Sequence, residues 1–128
     1  MRIRGNLEVT SWQEDELRQV DGGGRITRAA IGYRMTGDAE GTAFSDVVMY
    51  YRPDGTAWVA GLWTITVTVG DRSGSLVFES SGEYDGTAAT SRMRAVRGAS
   101  ADGLAGVEGE GTTTATRERV DYDLDLQL

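Results

Sequence analysis

The 128-residue sequence has no cysteine, no histidine and no lysine, and it has only one proline. The first two absences exclude disulfides, thiolate nucleophiles, Cys/His zinc centres, His-based triads and imidazole bases. The third excludes Schiff-base and other amine chemistry. Carboxylate, tyrosine, hydroxyl and arginine side chains are what remain. The 13 basic residues, all arginine, are outnumbered by 20 acidic ones, and the net charge of −7 is spread along the chain. Such a surface repels a phosphate backbone, so no nucleic-acid partner is expected. Long apolar runs are also missing. Met1-Arg2-Ile3-Arg4 passes straight into polar–apolar alternation without the apolar stretch of a leader, and nothing approaches the length of a membrane span. The expectation is one soluble cytoplasmic domain, residues 1–128, large enough to fold unaided and making no membrane contact.

What is present is glycine, 18 residues of it, breaking a period-two pattern into segments of strand length. The pattern predicts eight strands. They run from Asn6 to Trp12, Arg25 to Thr36, Gly41 to Arg52, Thr56 to Val69, about Leu76 to Tyr84, Thr87 to Val96, Leu104 to Gly109 and Val120 to Leu126. Polar Gln13 to Val20 suits one helical turn before the Asp21-Gly22-Gly23-Gly24 loop. Pro53-Asp54-Gly55 is a hairpin turn with a mechanism, because proline fixes φ at the first corner and glycine accepts the positive φ that follows. Inward faces are read as Ile31, Tyr33 and Met35; Val59, Gly61, Trp63, Ile65 and Val67; Leu76, Phe78, Ser80, Gly82 and Tyr84; Met93 and Ala95; and Val120, Tyr122, Leu124 and Leu126. The third predicted strand is apolar on both sides, with Val47, Met49 and Tyr51 competing against Phe44, Val48 and Tyr50 for the interior. Such a strand fits a barrel wall covered by a terminal segment or by a second subunit, and a homodimer is expected. Eight antiparallel strands without a long helix make an all-β closed barrel the expected fold, its lumen either filled by side chains or holding one small ligand.

Five segments in order, Val9-Thr10-Ser11-Trp12-Gln13-Glu14, Gly37-Asp38-Ala39-Glu40-Gly41-Thr42, Tyr51-Arg52-Pro53-Asp54-Gly55, Asp71-Arg72-Ser73-Gly74-Ser75 and Gly103 to Gly111, resemble the bacterial DUF3224 family over nearly the whole chain. That family is similar to the allene oxide cyclase barrel group. The resemblance implies an eight-stranded antiparallel barrel with a lipocalin-like apolar cavity and, from cyclases of the group acting on a fatty-acid epoxide or folding polyketides, cyclisation of an apolar molecule. Two positions depart from the family pattern. A glutamate is usual where Trp63 stands and a histidine where Ser80 stands, so this lumen is expected to be flatter and less polar, better suited to an apolar substrate than to proton transfer.

Several features have plain structural readings. The glycines of Gly98 to Gly111 are turns, since no Walker lysine accompanies them. Asp121, Asp123 and Asp125 form a solvated outer face without loop-type calcium geometry. Glu40 and Glu108, beside glycines at strand ends, are expected to satisfy backbone donors rather than to do acid–base work. The aromatics either fill the barrel as core or line a cavity. On the cavity reading Met49, Tyr51, Trp63, Phe78, Met93 and Tyr122 hold the ligand, while Tyr33 and Ser80 are the catalytic candidates that orient polar atoms by hydrogen bonds. No cofactor and no metal is expected. The functional expectation is a cofactor-independent cyclase or isomerase of specialised metabolism acting on an apolar, polyketide- or lipid-like substrate; the alternative is a non-catalytic carrier using the same residues.

Overall fold

Alternating polar and apolar residues place every second side chain on one face of a strand, and closing such a sheet on itself buries that face without leaving edges. In a computed structural model describing residues 1–128, this happens with strands alone. The elements are β1 (Arg2–Gln19), β2 (Arg25–Gly37), β3 (Glu40–Tyr51), β4 (Ala57–Val69), β5 (Arg72–Tyr84), β6 (Ala89–Ala95), β7 (Ala101–Asp102), β8 (Glu108–Ala115) and β9 (Val120–Gln127). Antiparallel pairing runs β4-β3-β2-β1-β9-β8-β6-β5, and β4 with β5 closes the ring. The result is an eight-stranded antiparallel barrel, to which the two-residue β7 adds an extra strand beside Gly74 and Ser75 of β5. No helix is long and apolar enough to cross a membrane.

The ring closes with an offset. From Val120 the register leads through β1, β2, β3 and β4 to Gly74 on β5, but through β8 and β6 to Tyr84 on the same strand. Such a stagger requires tilted strands, roughly 35–45° from the axis. It also carries β1 beyond the start of β9. Only Arg2 to Leu7 pair with β9, whereas pairing with β2 continues to Gln19 opposite Arg25, so the far half of β1 stands at one end of the barrel with a free edge.

The predicted inner faces of β2, β4, β5, β6 and β9 are the observed ones. On β3 the ambiguity resolves in favour of Ala43, Ser45, Val47 and Met49, all buried, while Phe44 and Val48 face outward. Two expectations are corrected. Gln13 to Val20 holds no helical turn, because the backbone there finds its hydrogen-bond partners across the hairpin in β2. The strand expected at Leu104 to Gly109 lies later, at Glu108–Ala115. Leu104 and Val107 are buried from a turn segment pinned by Leu104 N–H to Ala101 O at 3.2 Å and Val107 N–H to Leu104 O at 3.1 Å. They close the base of the barrel as a plug.

The interior is divided along its axis. At the base, Met35, Leu76, Phe78, Leu104, Leu124 and Leu126 are almost wholly excluded from solvent and fill the lumen. Tyr122 ties that end together: its hydroxyl donates to Thr36 O at 2.8 Å and accepts from Ala39 N–H at 3.2 Å, holding the β2–β3 turn against β9. At the other end, where the β1–β2, β3–β4, β5–β6 and β8–β9 turns lie, the filling stops.

Candidate functional site

Above the base is a cup of about 280 Å³. Ile31 and Tyr33 of β2, Ser45, Val47, Met49 and Tyr51 of β3, and Ala57, Val59 and Trp63 of β4 line one side of it. Ser80 and Tyr84 of β5, Ala89 and Ser91 of β6, Thr113 and Ala115 of β8 and Val120 of β9 line the other, and Val9 and Trp12 of β1 complete the ring. Val9 and Trp12 are 44% and 56% exposed, which places them at the mouth, while Trp63 and Tyr33 are buried in the wall. The Tyr33 and Trp63 rings stack, with centroids 4.8 Å apart and planes at 17°, giving one wall a continuous flat aromatic surface. A wider depression of about 710 Å³ lies over β5, β6 and β8; it is open to solvent and carries Glu79, Arg92, Arg94 and Glu110, the character of an outer surface.

The polar groups of the cup fall into two sets. The Tyr33 hydroxyl is 3.3 Å from Ser45 Oγ, and burial holds this phenol above its ordinary pKa, so it stays protonated at neutral pH. The Ser80, Ser91 and Thr113 hydroxyls bond to no other protein group. No fully buried polar side-chain atom in the molecule lacks a partner, so these three face the open space of the cup.

The second set is a knot at the rim, centred on Glu14. Its Oε2 accepts from Thr27 Oγ1 at 2.7 Å and from the Tyr51 hydroxyl at 2.8 Å, and its Oε1 accepts from Trp12 Nε1 at 3.1 Å. Burial pushes the Glu14 carboxyl up, but the three donors and the charge of Arg25 outweigh it and hold the group below its usual range. Tyr51 is pushed up to about 12, by burial first and by the carboxylate beside it. The Arg25 guanidinium lies 4.4 Å above the Tyr51 ring, so the one nearby cation is committed to the same knot.

A bulge explains how Trp12 and Glu14 reach this place. Val9 pairs with Tyr33 but Ser11 pairs with Gly32, so Thr10 is an extra residue in β1. The alternation reverses there. Leu7 and Val9 point inward before it, Trp12 and Glu14 after it, opposite Ile31 and Ala29 of β2.

A family model described as a protein of unknown function, DUF3224, matches residues 3–126. The chain belongs to the DUF3224 family. A DUF3224 protein of unknown function from Shewanella oneidensis MR-1 is similar in structure, with a TM-score of 0.85 and 16% sequence identity over 100% of this chain and 97% of the other. That likeness concerns the fold. No curated protein matches this member of the family.

Of the residues singled out in the sequence, Tyr33, Met49, Tyr51, Trp63 and Ser80 are brought together around the cup. Trp63 and Ser80 both face it. Phe78, Met93 and Tyr122 do not line it: the first two are packed in the base and the third is the hydroxyl clamp beneath, because the lumen is filled up to their level. Sequence reasoning missed Trp12, Glu14, Thr27, Tyr84, Ser91 and Thr113. The signal for Trp12 was its spacing of three from Val9, which no regular strand allows on one face. Ser91 and Thr113 carry no signal of their own, since small hydroxyl residues suit either face of a strand.

Proposed function

We propose that this protein is a cofactor-independent cyclase or isomerase that holds an apolar molecule in the cup in a folded, reactive conformation. The carrying observation is the cup itself: a cavity open at one end, with an aromatic stack in its wall and unengaged hydroxyls lining it. A dry cavity of about 150 Å³ accommodates benzene, so 280 Å³ corresponds to a body of roughly ten to fifteen non-hydrogen atoms. A longer polyketide- or lipid-like chain enters with its reacting segment and leaves the remainder at the mouth. Confinement of a flexible chain to a near-attack geometry contributes several kcal/mol without an acid, a base or a metal. The Ser80 hydroxyl, free of protein partners, and Tyr33, neutral and buried, supply hydrogen-bonding groups for polar atoms of the substrate. The outward apolar residues Phe44, Val48, Trp58 and Leu62 of β3 and β4 supply a face for a second copy.

The second reading, a carrier, is favoured by the chemistry of the lining, in which tyrosines are the only titratable side chains. Native mass spectrometry of gently purified protein, followed by extraction of what it retains, tests both. A retained small apolar molecule that is converted to an isomer on incubation supports the cyclase; one returned unchanged, with no converted precursor, supports the carrier. A barrel that retains nothing and takes up no hydrophobic fluorescent probe overturns both.

A further inference from the structure

The two sides of the cup differ in chemistry, and the topology sets them across the lumen from one another. In the ring order β1-β2-β3-β4-β5-β6-β8-β9, strands four places apart are opposed. β6 therefore faces β2, and β8 faces β3. The Tyr33–Trp63 stack, on β2 and β4, is centred over β3. Ser91 of β6 and Thr113 of β8 are register partners and lie on the opposite side. Their hydroxyls have no protein partner and open onto the cavity. One wall is thus flat and apolar, and the facing wall offers two adjacent hydroxyls that both donate and accept.

Charge completes the description. No ionised side chain lines the cup. The nearest, Glu14, stands at the rim with both carboxylate oxygens already hydrogen-bonded, and Arg25 beside it is drawn over the Tyr51 ring. A carboxylate entering the cup would pass a fixed negative charge and find no cation to replace its water.

Resting on the proposal that the lumen binds a small molecule, we infer that the cup selects a neutral, flat molecule with a hydrogen-bonding oxygen at one end, its ring plane against Trp63 and its oxygen toward Ser91 and Thr113, and rejects the corresponding carboxylate. Fatty acids and other anionic amphiphiles are excluded as ligands on this account, although they are equally apolar. Their neutral ketone, alcohol or lactone counterparts are admitted.

Isothermal titration calorimetry near neutral pH with three probes of one ring skeleton, naphthalene, 2-acetylnaphthalene and 2-naphthoate, tests this on the unaltered protein. The ketone is expected to bind about tenfold more tightly than naphthalene, as one or two hydrogen bonds imply, and about a hundredfold more tightly than the carboxylate. In the double variant Ser91→Ala, Thr113→Val the preference for the ketone over naphthalene is lost. In Glu14→Gln the deficit of naphthoate narrows. Equal binding of ketone and naphthoate overturns the charge selection, and equal binding of ketone and naphthalene overturns the placement of the oxygen; either leaves lumen binding standing. Silence from all three probes overturns lumen binding itself, and this inference with it.

Discussion

Two residues show how differently a hydrogen-bonded polar group can be employed. Glu14 is a hub, and its removal leaves the Thr27 hydroxyl, in a residue almost wholly excluded from solvent, without an acceptor. Glu14→Ala is expected to cost about 1–3 kcal/mol in urea unfolding at neutral pH. Because the folded carboxyl titrates below its ordinary value of 4.5, its contribution is fully present above that pH and is lost as the pH falls through the lower, folded value. Asp54, Glu83, Asp85 and Asp123 are also held low, by hydrogen bonds above all, so the whole protein weakens in acid. The readout is therefore the difference between wild type and Glu14→Gln, which should shrink below about pH 4.5; parallel curves would show that the knot does not depend on the charge. Tyr122 is a clamp with no part in the cup. Tyr122→Phe is expected to lose about 1–2 kcal/mol, through Thr36 O and Ala39 N–H, while leaving the uptake of a hydrophobic probe unchanged.

At the scale of elements, β1 carries an extra residue at each of two register shifts against β2, Val9/Ser11 and Glu16/Arg18. Deleting Thr10 removes the first of them and leaves Trp12 two places after Val9, so Trp12 and Glu14 keep the inner face opposite Ile31 and Ala29 while Arg2 to Leu7 keep their pairing with β9. The variant is expected to retain the barrel by circular dichroism, together with probe uptake and the indole environment of Trp12 in fluorescence; an indole turned out to solvent would sink the account of the bulge. β4 depends on a missing side chain. A Cβ at Gly61 would lie 2.1 Å from Asp46 O of the neighbouring strand, so Gly61→Ala is expected to part β3 from β4 at a cost of about 3 kcal/mol or more in thermal unfolding. These devices mark the limit of what the sequence discloses. Trp63, Ile65, Val67, Leu76, Phe78, Tyr122 and Leu124 alternate without interruption, and their faces were legible because period two needs no partner to be seen. The two-sided apolarity of β3 was a real ambiguity that only its neighbours resolve, by setting Val47 and Met49 opposite Ala29 and Thr27. Glu14 was illegible because a bulge reverses the pattern without a glycine to announce it. Leu104 and Val107 read as strand because a plug and a strand face are both apolar, and only the tertiary fold separates them.

At the scale of the molecule, the barrel spends its apolar residues unevenly. Phe78, Leu76, Leu124 and Leu126 fill the base completely, whereas the upper part places serine, threonine and alanine at inward positions where leucine would fit the same alternation. A protein selected only for stability has no reason to leave that space, since filling such a cavity with apolar atoms commonly contributes about 0.5–2 kcal/mol. Ser80 is the position at which to test this. Its side chain faces the cup and its hydroxyl has no protein partner, so replacing it costs no internal hydrogen bond. Ser80→Leu places further apolar groups in the cup against Trp63 and Val59, at about 0.8 kcal/mol for each methylene buried. The variant is expected to unfold at an equal or higher temperature than wild type and to lose uptake of a naphthalene-sized probe. Stability kept and binding lost would mean that the open cup is maintained at the expense of the fold, as a binding site must be. Both falling together would mean that the space collapses in solution and that Ser80 belongs to a packed core; both surviving would place the probe elsewhere on the molecule.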